Sequence, residues 1–400
     1  MTKEIILPQS NNNSIRICIW GDLVQTEDNK ALFECGDIKH LLGDGILKEL
    51  SESDIVIFNL EAPLTLSKTQ IYKPQAPCIA SSPKCINTFN AIQSLGCNMV
   101  ASCANNHIKD FNIEGITDTI KLFSDNNINY VGVSDKNIEE AKQPVIISRN
   151  GCGYIGIYSC AENEFSIACD QYGGANGYDP LNTFDDIRDL KNKCDKVIVL
   201  FHAGRENYKY PSPQLQRICR KMVDVGADII VCQHSHCIGC EEQYKNGRII
   251  YGQGNFIFHR TQNKEWYTGL MISCLVEPNK EIKTTYKVVE NNPPFVRLCS
   301  NDTQNAILQA FENRSQEIQD INFIKKQWEK WIFNNIDIYC MHALLGCQNR
   351  YILAIDKRLN YFISKLVLKN KYRRNLLLNY IRCESIREAL TTLLNSNRKE

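Results

Sequence analysis

The sequence contains no long apolar run, and this absence limits where the protein can reside. A transmembrane helix needs about 20 consecutive apolar residues, and no stretch of the 400-residue chain approaches that length. The amino-terminal residues are polar apart from the short apolar stretch Ile5 to Pro8, which is neither a signal peptide nor a membrane anchor. We therefore predict a soluble protein.

The sequence also lacks an excess of charge of either sign. Its 46 Lys and Arg residues nearly balance its 45 Asp and Glu residues, which leaves a net charge of +1. Proteins that bind nucleic acid usually carry a strong basic excess, so we predict no nucleic-acid partner.

The 19 cysteines show no sign of a zinc or disulfide framework. Cys237 and Cys240 form a CxxC pair, but a structural zinc site normally needs two such pairs, and no second one is evident. Many other cysteines lie within or beside apolar runs, as Cys18 and Cys160 do, where a reduced thiol serves as a small apolar side chain. The pattern favours a reducing cytoplasm, with peripheral attachment to a membrane left open.

What the sequence does contain is a series of short apolar strands that end in polar residues. The predicted strands are Ile15 to Trp20, Asp54 to Phe58, Met99 to Ser102 and Ile155 to Ser159. Helical segments alternate with them, which predicts an α/β fold with a mostly parallel sheet. Asp22, Glu61, Asn106 and His107 directly follow the first three of these strands.

The segment 197–258 contains the remaining imidazoles of interest. The apolar run 197–201 stops at His202, and a second run, 229–232, stops before His234 and His236. Between them, apolar residues recur at helical spacing from Leu215 to Val223, and Ser212 can cap that helix. Open α/β sheets place their ligands at the carboxyl ends of strands. The segment therefore predicts a metal or phosphate site.

These residue types match a divalent metal site. Carboxylate, amide and imidazole ligands suit zinc, manganese or iron, and Glu61 is the natural bridge between two such ions. His107 would protonate a leaving group as the general acid. A single histidine at a strand end is more often structural, but three of them in register with two carboxylates favour a ligand set. Asn59, Asn105 and Asn255 are expected to support the site through hydrogen bonds.

The order of the motifs GD, NLE, ANNH, HAGRE and HSH, followed by GQGNFIF, resembles the CapA-type capsule and poly-γ-glutamate synthesis proteins. These are distant relatives of the calcineurin-like metallophosphoesterases, and the resemblance runs from about Ile15 to Arg297. It implies a metallophosphoesterase-like four-layer α/β sandwich with its metal centre at the strand ends. The implied residues are Asp22 and His236 on one metal, Asn106, His202 and His234 on the other, Glu61 between them, His107 in the catalytic position, and Asp110 and Glu206 lining the site.

The sequence departs from that pattern at one ligand position. Metallophosphoesterases proper begin with an Asp-x-His pair, whereas Asp22 is followed by Leu23 and Val24. The first metal therefore lacks a histidine, and either one or two ions (Mn, Zn or Fe) are expected.

The predicted domains are an amino-terminal tail at 1–14, a CapA-like domain at 15–298 and a helical region at 299–400. The last is basic and carries one apolar stripe, formed by Ile352, Ile355, Leu359, Phe362, Ile363 and Leu366. Such a unit would dock on the main domain or in a dimer; contact with an anionic membrane surface or glycan is the alternative.

The leading functional hypothesis is a metal-dependent hydrolase of the phosphoesterase type, acting in the biosynthesis of capsule, poly-γ-glutamate or another surface polymer. Its partners would be an anionic polymer or phosphoester substrate and a membrane-associated synthase, and it could form an oligomer. One alternative is a non-catalytic accessory protein of a polymer synthase complex. Another is a metal-dependent amide hydrolase that cleaves a γ-glutamyl or peptide-like polymer.

Overall fold

The computed structural model describes residues 3–9, 13–73, 76–258, 263–335, 344, 346–347 and 349–382. The chain divides into two compact units, Met1–Ile324 and Lys325–Glu400. The part of the predicted helical region that follows residue 382 lies outside the described residues.

Most strands of the first unit belong to two mixed β-sheets. In chain order the strands are β1 (Lys3–Ile6), β2 (Ile15–Leu23), β3 (Ile55–Leu60), β4 (Asn98–Ser102), β5 (Asn129–Val131), β6 (Val133–Ser134), β7 (Val145–Arg149), β8 (Gly153–Ala161), β9 (Gly174–Ala175), β10 (Lys196–His202), β11 (Ile229–Gln233), β12 (Ile238–Tyr244), β13 (Gly247–Gln253), β14 (Asn255–Ile257), β15 (Thr268–Val276), β16 (Lys283–Asn292) and β17 (Phe295–Leu298). Sheet I has the order β17-β16-β15-β2-β3-β4-β5, with β14 also paired to β2. Sheet II has the order β1-β7-β8-β10-β11-β13-β12, and β6 pairs with β9 separately.

Each sheet is parallel in the part that holds the predicted ligands. Strands β2 to β5 run parallel in sheet I, and β8, β10, β11 and β13 run parallel in sheet II. Strands β15 to β17 complete sheet I in antiparallel fashion. The strands thus form two mixed sheets rather than one mostly parallel sheet.

Helices accompany both sheets. Those of the first unit are α1 (Lys30–Cys35), α2 (Ile38–Leu41), α3 (Asp44–Ser51), α4 (Ile86–Gln93), α5 (Asn112–Asp125), α6 (Ile138–Ala141), α7 (Thr183–Lys191), α8 (Pro213–Asp224) and α9 (Asn301–Glu317). Helix α10 (Ile321–Asn334) crosses the boundary between the units, and α11 (Arg350–Arg358), α12 (Phe362–Lys369) and α13 (Lys371–Arg382) follow in the second unit.

The alternation of side chains along the strands produces four layers. In β2, Ile17 and Ile19 point into a core shared by the two sheets, whereas Cys18 and Trp20 pack in a second core with side chains of α1, α3, α4 and α5. In β10, Leu200 contributes to the shared core, and its neighbours pack in a third core with α7 and α8. A strand that is buried on both faces has a continuous run of apolar residues. This is why apolar and polar residues do not alternate in the sequences of these strands. The order helix, sheet, sheet, helix confirms the predicted fold class.

The strand-helix-strand unit that contains three predicted ligands is confirmed. Strands β10 and β11 are parallel neighbours, and α8 connects them. The Ser212 hydroxyl accepts a hydrogen bond from the Leu215 amide at 3.1 Å, as an N-cap does. Gly226 follows the helix in a left-handed conformation with φ of 127°, which glycine adopts without steric cost.

The ends of the first unit differ from the predicted domain limits. Strand β1 lies within the stretch predicted as a tail, and it pairs with β7 at the edge of sheet II. Helix α9 lies beyond residue 298 but packs on β12 and β16, with Phe311 in the core shared by the sheets. In the second unit, the predicted apolar stripe is divided between α11 and α12 by a break at Asn360 and Tyr361, both of which have positive φ.

Two further observations concern the described residues. None of their helices is both long enough and apolar enough to cross a lipid bilayer. Every cysteine among them is a free thiol, and most of these thiols are buried.

Replacing Leu200 by alanine tests the core between the sheets. Because Leu200 is fully buried there, we expect Leu200→Ala to lower the free energy of unfolding by about 2–5 kcal/mol. Leu181 is exposed, and Leu181→Ala should change that free energy by less than about 0.5 kcal/mol. Urea unfolding followed by circular dichroism measures both, and equal effects of the two substitutions would contradict this description of the core.

Candidate metal centre

The predicted ligands lie at the carboxyl ends of strands from both sheets. Asp22 is in the last part of β2 and Glu61 directly follows β3 in sheet I. His202 ends β10, and His234 and His236 follow β11 in sheet II. All five side chains are buried. Residues from four separate strand ends therefore meet at one edge of the sandwich.

The ligand atoms fall into two groups that share Glu61. The Asp22 group consists of Asp22, Glu61 and His236, and the His202 group consists of Glu61, His202 and His234. Within each group, one potential ligand atom from every residue lies within 4.8 Å of the others. The Asn106 amide oxygen lies 3.1 Å from His202 Nε2, which places it beside the His202 group. The division is the same as the one implied by the family resemblance.

The Glu61 carboxylate is buried at the point that the two groups share. Both of its oxygens are buried, and neither has a hydrogen-bond partner among the described residues. The nearest imidazole nitrogen, His202 Nε2, is 3.5 Å from Oε1. Burial and the neighbouring Asp22 carboxylate raise the pKa of Glu61 well above its usual value. An uncompensated buried carboxylate is costly, so the donor set fits one or two divalent cations that Glu61 could bridge.

The histidines differ in their electrostatic environment. Burial lowers the pKa of His202 to about 4 and lowers that of His234 well below its usual value. Both rings are therefore neutral at physiological pH, which is the form that binds a metal. Burial also opposes the charge on His236, but the Glu61 and Asp22 carboxylates outweigh this effect and raise its pKa to about 9.

Unusual backbone conformations orient the two histidines after β11. His234 has φ of 82° and His236 has φ of 52°, in the left-handed region that non-glycine residues seldom adopt. The regular conformation of β11 has ended before these residues, so the His234 ring reaches the His202 group and the His236 ring reaches the Asp22 group. Gly21 permits the close approach of β14, because a Cβ at Gly21 would lie 2.0 Å from the Gly254 carbonyl oxygen. That approach brings Asn255 beside the centre.

Three buried asparagines make hydrogen bonds in and around the centre. The Asn59 amide donates to Asp22 Oδ1 at 2.7 Å, and Asn255 Oδ1 lies 2.9 Å from His236 Nδ1. Asn105 donates to the Leu60 carbonyl oxygen at 2.7 Å and accepts from the His107 backbone amide at 3.1 Å. These contacts fix the loops after β3 and β4 relative to each other.

His107 belongs to a buried chain of polar contacts that includes an unforeseen lysine. Its Nδ1 lies 2.6 Å from Asp110 Oδ2, so Nε2 is the ring nitrogen left for a substrate. The Lys73 ammonium donates to Asp110 Oδ1 at 2.7 Å and to the Asn106 carbonyl oxygen at 3.0 Å. The side chains of Lys73 and Asp110 are completely buried. Lys73 lies in an irregular loop between β3 and α4, and no sequence motif distinguished it.

Comparison with known proteins identifies the family of the chain. A family model described as bacterial capsule synthesis protein PGA_cap matches residues 16–260, more than half of the chain. The chain belongs to this family. The resemblance to CapA-type proteins is thereby confirmed.

Several curated proteins are similar to this member of the PGA_cap family. The capsule biosynthesis protein CapA of Bacillus anthracis is 34% identical over 214 residues, which cover 52% of this chain and 51% of that protein. The PGA biosynthesis protein CapA of Bacillus subtilis is 28% identical over 209 residues, with coverage of 52% and 53%. A probable polyglutamine synthesis accessory protein of Mycobacterium tuberculosis is 25% identical over 222 residues, with coverage of 52% and 57%. The chain thus matches about half the length of these relatives.

Solved structures that align with the chain are more distant in sequence. A hypothetical protein from Thermus thermophilus has 13% identity and a TM-score of 0.41, and the alignment covers 70% of this chain and 100% of that one. A 5'-nucleotidase from Candida albicans has 12% identity and a TM-score of 0.37, with coverage of 82% and 60%.

An apolar cluster occupies the position of the missing histidine in this PGA_cap chain. Val24 stands where an Asp-x-His pair would place that ligand, and it packs with Ala62, Phe258 and Trp266. The Trp266 ring also lies against the His236 ring, with centroids 3.8 Å apart. The Asp22 group therefore has three ligand residues and an apolar wall. The sequence showed the loss of the histidine but gave no indication of Trp266, which is distant in the chain.

The remaining predicted residue, Glu206, is less closely involved. Its side chain is exposed on the loop after β10, although its charge contributes to the raised pKa of Glu61. Glu162, which was not predicted, approaches from the loop after β8 and accepts a hydrogen bond from the Gly204 amide at 3.2 Å. Burial raises the pKa of Glu162. The surroundings of the centre are thus rich in carboxylates.

Replacing Lys73 by methionine tests the buried polar chain around His107. Lys73→Met leaves the Asp110 charge buried without its cation, so we expect the free energy of unfolding to fall by about 3–5 kcal/mol. Lys84 forms only a long, exposed ion pair with Glu34, and Lys84→Met should cost less than about 1 kcal/mol. Urea denaturation measures both.

The double variant Lys73→Met/Asp110→Asn provides the control for this pair. Because it removes both charges, it should be more stable than Lys73→Met alone. If the two substitutions destabilised the protein additively, no coupling between Lys73 and Asp110 would exist.

Proposed function

We propose that the chain is a metal-dependent hydrolase of the phosphoesterase type, which takes part in the synthesis of capsule, poly-γ-glutamate or another surface polymer. The observation that carries the proposal is the Glu61 carboxylate, buried without a hydrogen-bond donor and shared by two ligand groups. A carboxylate in this position bridges two ions in binuclear hydrolases. The polymer is suggested by the names of the relatives in Bacillus, which share about half their length with this chain.

The roles of the residues follow from their positions. Asp22 and His236 would hold one ion, His202, His234 and Asn106 the other, and Glu61 would bridge them. Ions at these positions polarise the bond to be cleaved and lower the pKa of water. Asp110 holds His107 through Nδ1, which directs Nε2 to the leaving group as the general acid. Burial lowers the pKa of His107, so its protonated ring is a stronger acid than free imidazolium.

The proposed substrate is an anionic polymer or a phosphoester, and a membrane-associated synthase is the proposed partner. A relative in Mycobacterium tuberculosis is named a probable polyglutamine synthesis accessory protein, which supports action beside a synthase. A metal held by these residues would supply the chemistry for hydrolysis of an amide as well as of a phosphoester. The free thiols support our proposal that the chain works in the reducing cytoplasm.

One structural feature favours a second candidate function. Val24 and its apolar neighbours leave the Asp22 group with three ligand residues, so that group could bind metal weakly. The chain would then be a non-catalytic accessory protein that uses the pocket to bind an anionic substrate. Metal content and turnover separate the two functions.

Replacing the bridging residue tests metal binding directly. We expect two divalent ions per chain in the wild-type protein and at most one in Glu61→Gln, because the amide is a neutral and weaker ligand. Glu312 is exposed, and Glu312→Gln should retain the wild-type content. Elemental analysis of the purified proteins, supported by circular dichroism, gives the result. One ion or none in the wild-type protein would favour the accessory function.

Replacing His107 tests catalysis separately from metal binding. We expect His107→Gln to lower kcat by about 10²- to 10⁴-fold, the usual contribution of a general acid, with no change in metal content. His40 is exposed, and its Nδ1 also lies beside a carboxylate, that of Asp37, so His40→Gln is the matched control. A phosphodiester and a γ-glutamyl anilide, assayed side by side, distinguish the bonds cleaved. Absence of turnover on either substrate by a fully metallated protein would count against a hydrolase.

A further inference from the structure

The second unit contains a strongly basic segment that the metal centre does not explain. Residues 350–382, here called the basic segment, form α11, α12 and α13. The basic residues are Arg350, Lys357, Arg358, Lys365, Lys369, Lys371, Arg373, Arg374 and Arg382. The whole chain has a net charge of only +1, so the rest of it is net acidic. Positive charge is therefore concentrated in this segment.

The single acidic residue of the basic segment forms hydrogen bonds within the segment. Asp356 is buried, and it accepts hydrogen bonds from the Ser364 hydroxyl at 2.6 Å and from the Ile363 amide at 2.7 Å. These bonds tie the end of α11 to the first turn of α12. They stabilise the turn between the helices and leave no carboxylate on the exposed side of the segment.

Large apolar side chains are exposed on the same helices. Each of them has between 41% and 79% of its surface accessible to solvent. They are Tyr351, Ile352, Ile355, Leu359, Phe362, Leu366 and Tyr372. Ile352, Ile355 and Leu359 recur at a spacing that places them on one face of α11. On α12, Phe362 and Leu366 are one turn apart, and the exposed Lys365 and Lys369 follow them at three-residue intervals. Apolar and cationic groups thus alternate along one exposed face of α12, and α11 has an exposed apolar face of its own.

A partner for this surface must offer both negative charge and an apolar phase. A nucleic acid or a polyanionic glycan would pair with the lysines and arginines but would leave Phe362 and Leu366 in water. A neutral apolar partner would bury them but would leave the cations without counter-charges. An anionic bilayer supplies phosphate headgroups at its surface and hydrocarbon a few ångströms below. Lysine stems are long enough to reach the headgroups while neighbouring apolar side chains enter the boundary.

We propose that the basic segment binds the surface of a membrane that contains anionic lipid. Phe362, Leu366 and the apolar face of α11 enter the boundary between headgroups and hydrocarbon, and Lys365 and Lys369 contact lipid phosphates. The attachment is peripheral and weakens as salt rises. It does not depend on the metal centre or on the proposed hydrolase activity.

Sedimentation of the full-length protein with vesicles tests the proposal. We expect binding to vesicles made of equal parts phosphatidylglycerol and phosphatidylcholine, and at least about tenfold weaker binding to pure phosphatidylcholine, because each cation near an anionic surface adds to the attraction. Lys365→Glu/Lys369→Glu should weaken binding to the anionic vesicles by at least about tenfold. Lys68 and Lys121 are exposed in the first unit, and Lys68→Glu/Lys121→Glu should leave this binding unchanged.

A second pair of variants tests the apolar contribution. Phe362→Ser/Leu366→Ser should also weaken binding at least about tenfold, since two large side chains no longer enter the bilayer. Leu66→Ser/Leu181→Ser, which changes two exposed leucines of the first unit, should have no effect. Circular dichroism verifies that all variants are folded.

Four results would overturn the proposal. The wild-type protein could fail to bind the anionic vesicles or could bind pure phosphatidylcholine equally well. The segment variants could bind as tightly as their controls. Light scattering could show an oligomer that Phe362→Ser/Leu366→Ser dissociates, in which case a second copy of the chain covers the apolar face.

Discussion

The centre of the first unit depends on one buried carboxylate. Glu61 has no hydrogen-bond donor among the described residues, and its nearest imidazole nitrogen is 3.5 Å away. Moving a carboxylate out of water is costly unless a cation or several donors replace the lost hydration. The two neutral imidazoles of the His202 group cannot do so, and Asp22 adds further negative charge. A cation shared by residues from both sheets would resolve this imbalance, and its binding would also join the two halves of the sandwich.

The surroundings of Glu61 orient the ligands but compensate its charge only in part. His236, whose pKa is raised to about 9, and Lys73 both act to lower the pKa of Glu61, which nevertheless stays well above its usual value. Asn59 and Asn255 are neutral, and each contacts one ligand of the Asp22 group. Such contacts fix the orientation of a ligand and tune the affinity of a metal site. Trp266 packs against the His236 ring on the remaining side. The buried cation nearby, Lys73, is committed to Asp110 and to the loop that holds His107. His107 is thus oriented by the protein itself, whereas a bound cation would complete the charge compensation of Glu61.

The secondary-structure elements that depend on local residue patterns were predicted from the sequence. The apolar runs that became β2, β3, β4, β10 and β11 are buried on both faces, and Ser212 marks the start of α8, so these elements were identified correctly. The six predicted metal ligands meet because each lies in the last part of a strand or in the loop that follows one, and those strand ends lie at the same edge. The arrangement of strands in two sheets could not be deduced from the runs themselves, because nothing in a run specifies its neighbour. Lys73 and Trp266 were missed for a related reason. Lys73 reaches the centre from an irregular loop and Trp266 from a short 3-10 helix, and only tertiary contacts distinguish each from an ordinary surface residue.

The same limit applies to inferences from total charge. A net charge of +1 argues against an extended anionic partner only if the charges are evenly distributed along the chain. Here carboxylates gather around the candidate metal centre. Asp22 and Glu206 help to raise the pKa of Glu61, and Glu162 opposes the lowering of the pKa of His202. Nine basic residues lie in the segment 350–382. An acidic centre attracts divalent cations, and a basic segment attracts anionic surfaces, so the two features favour different kinds of partner although their charges cancel in the total. Total charge therefore does not describe residues 350–382, whose basic character it conceals.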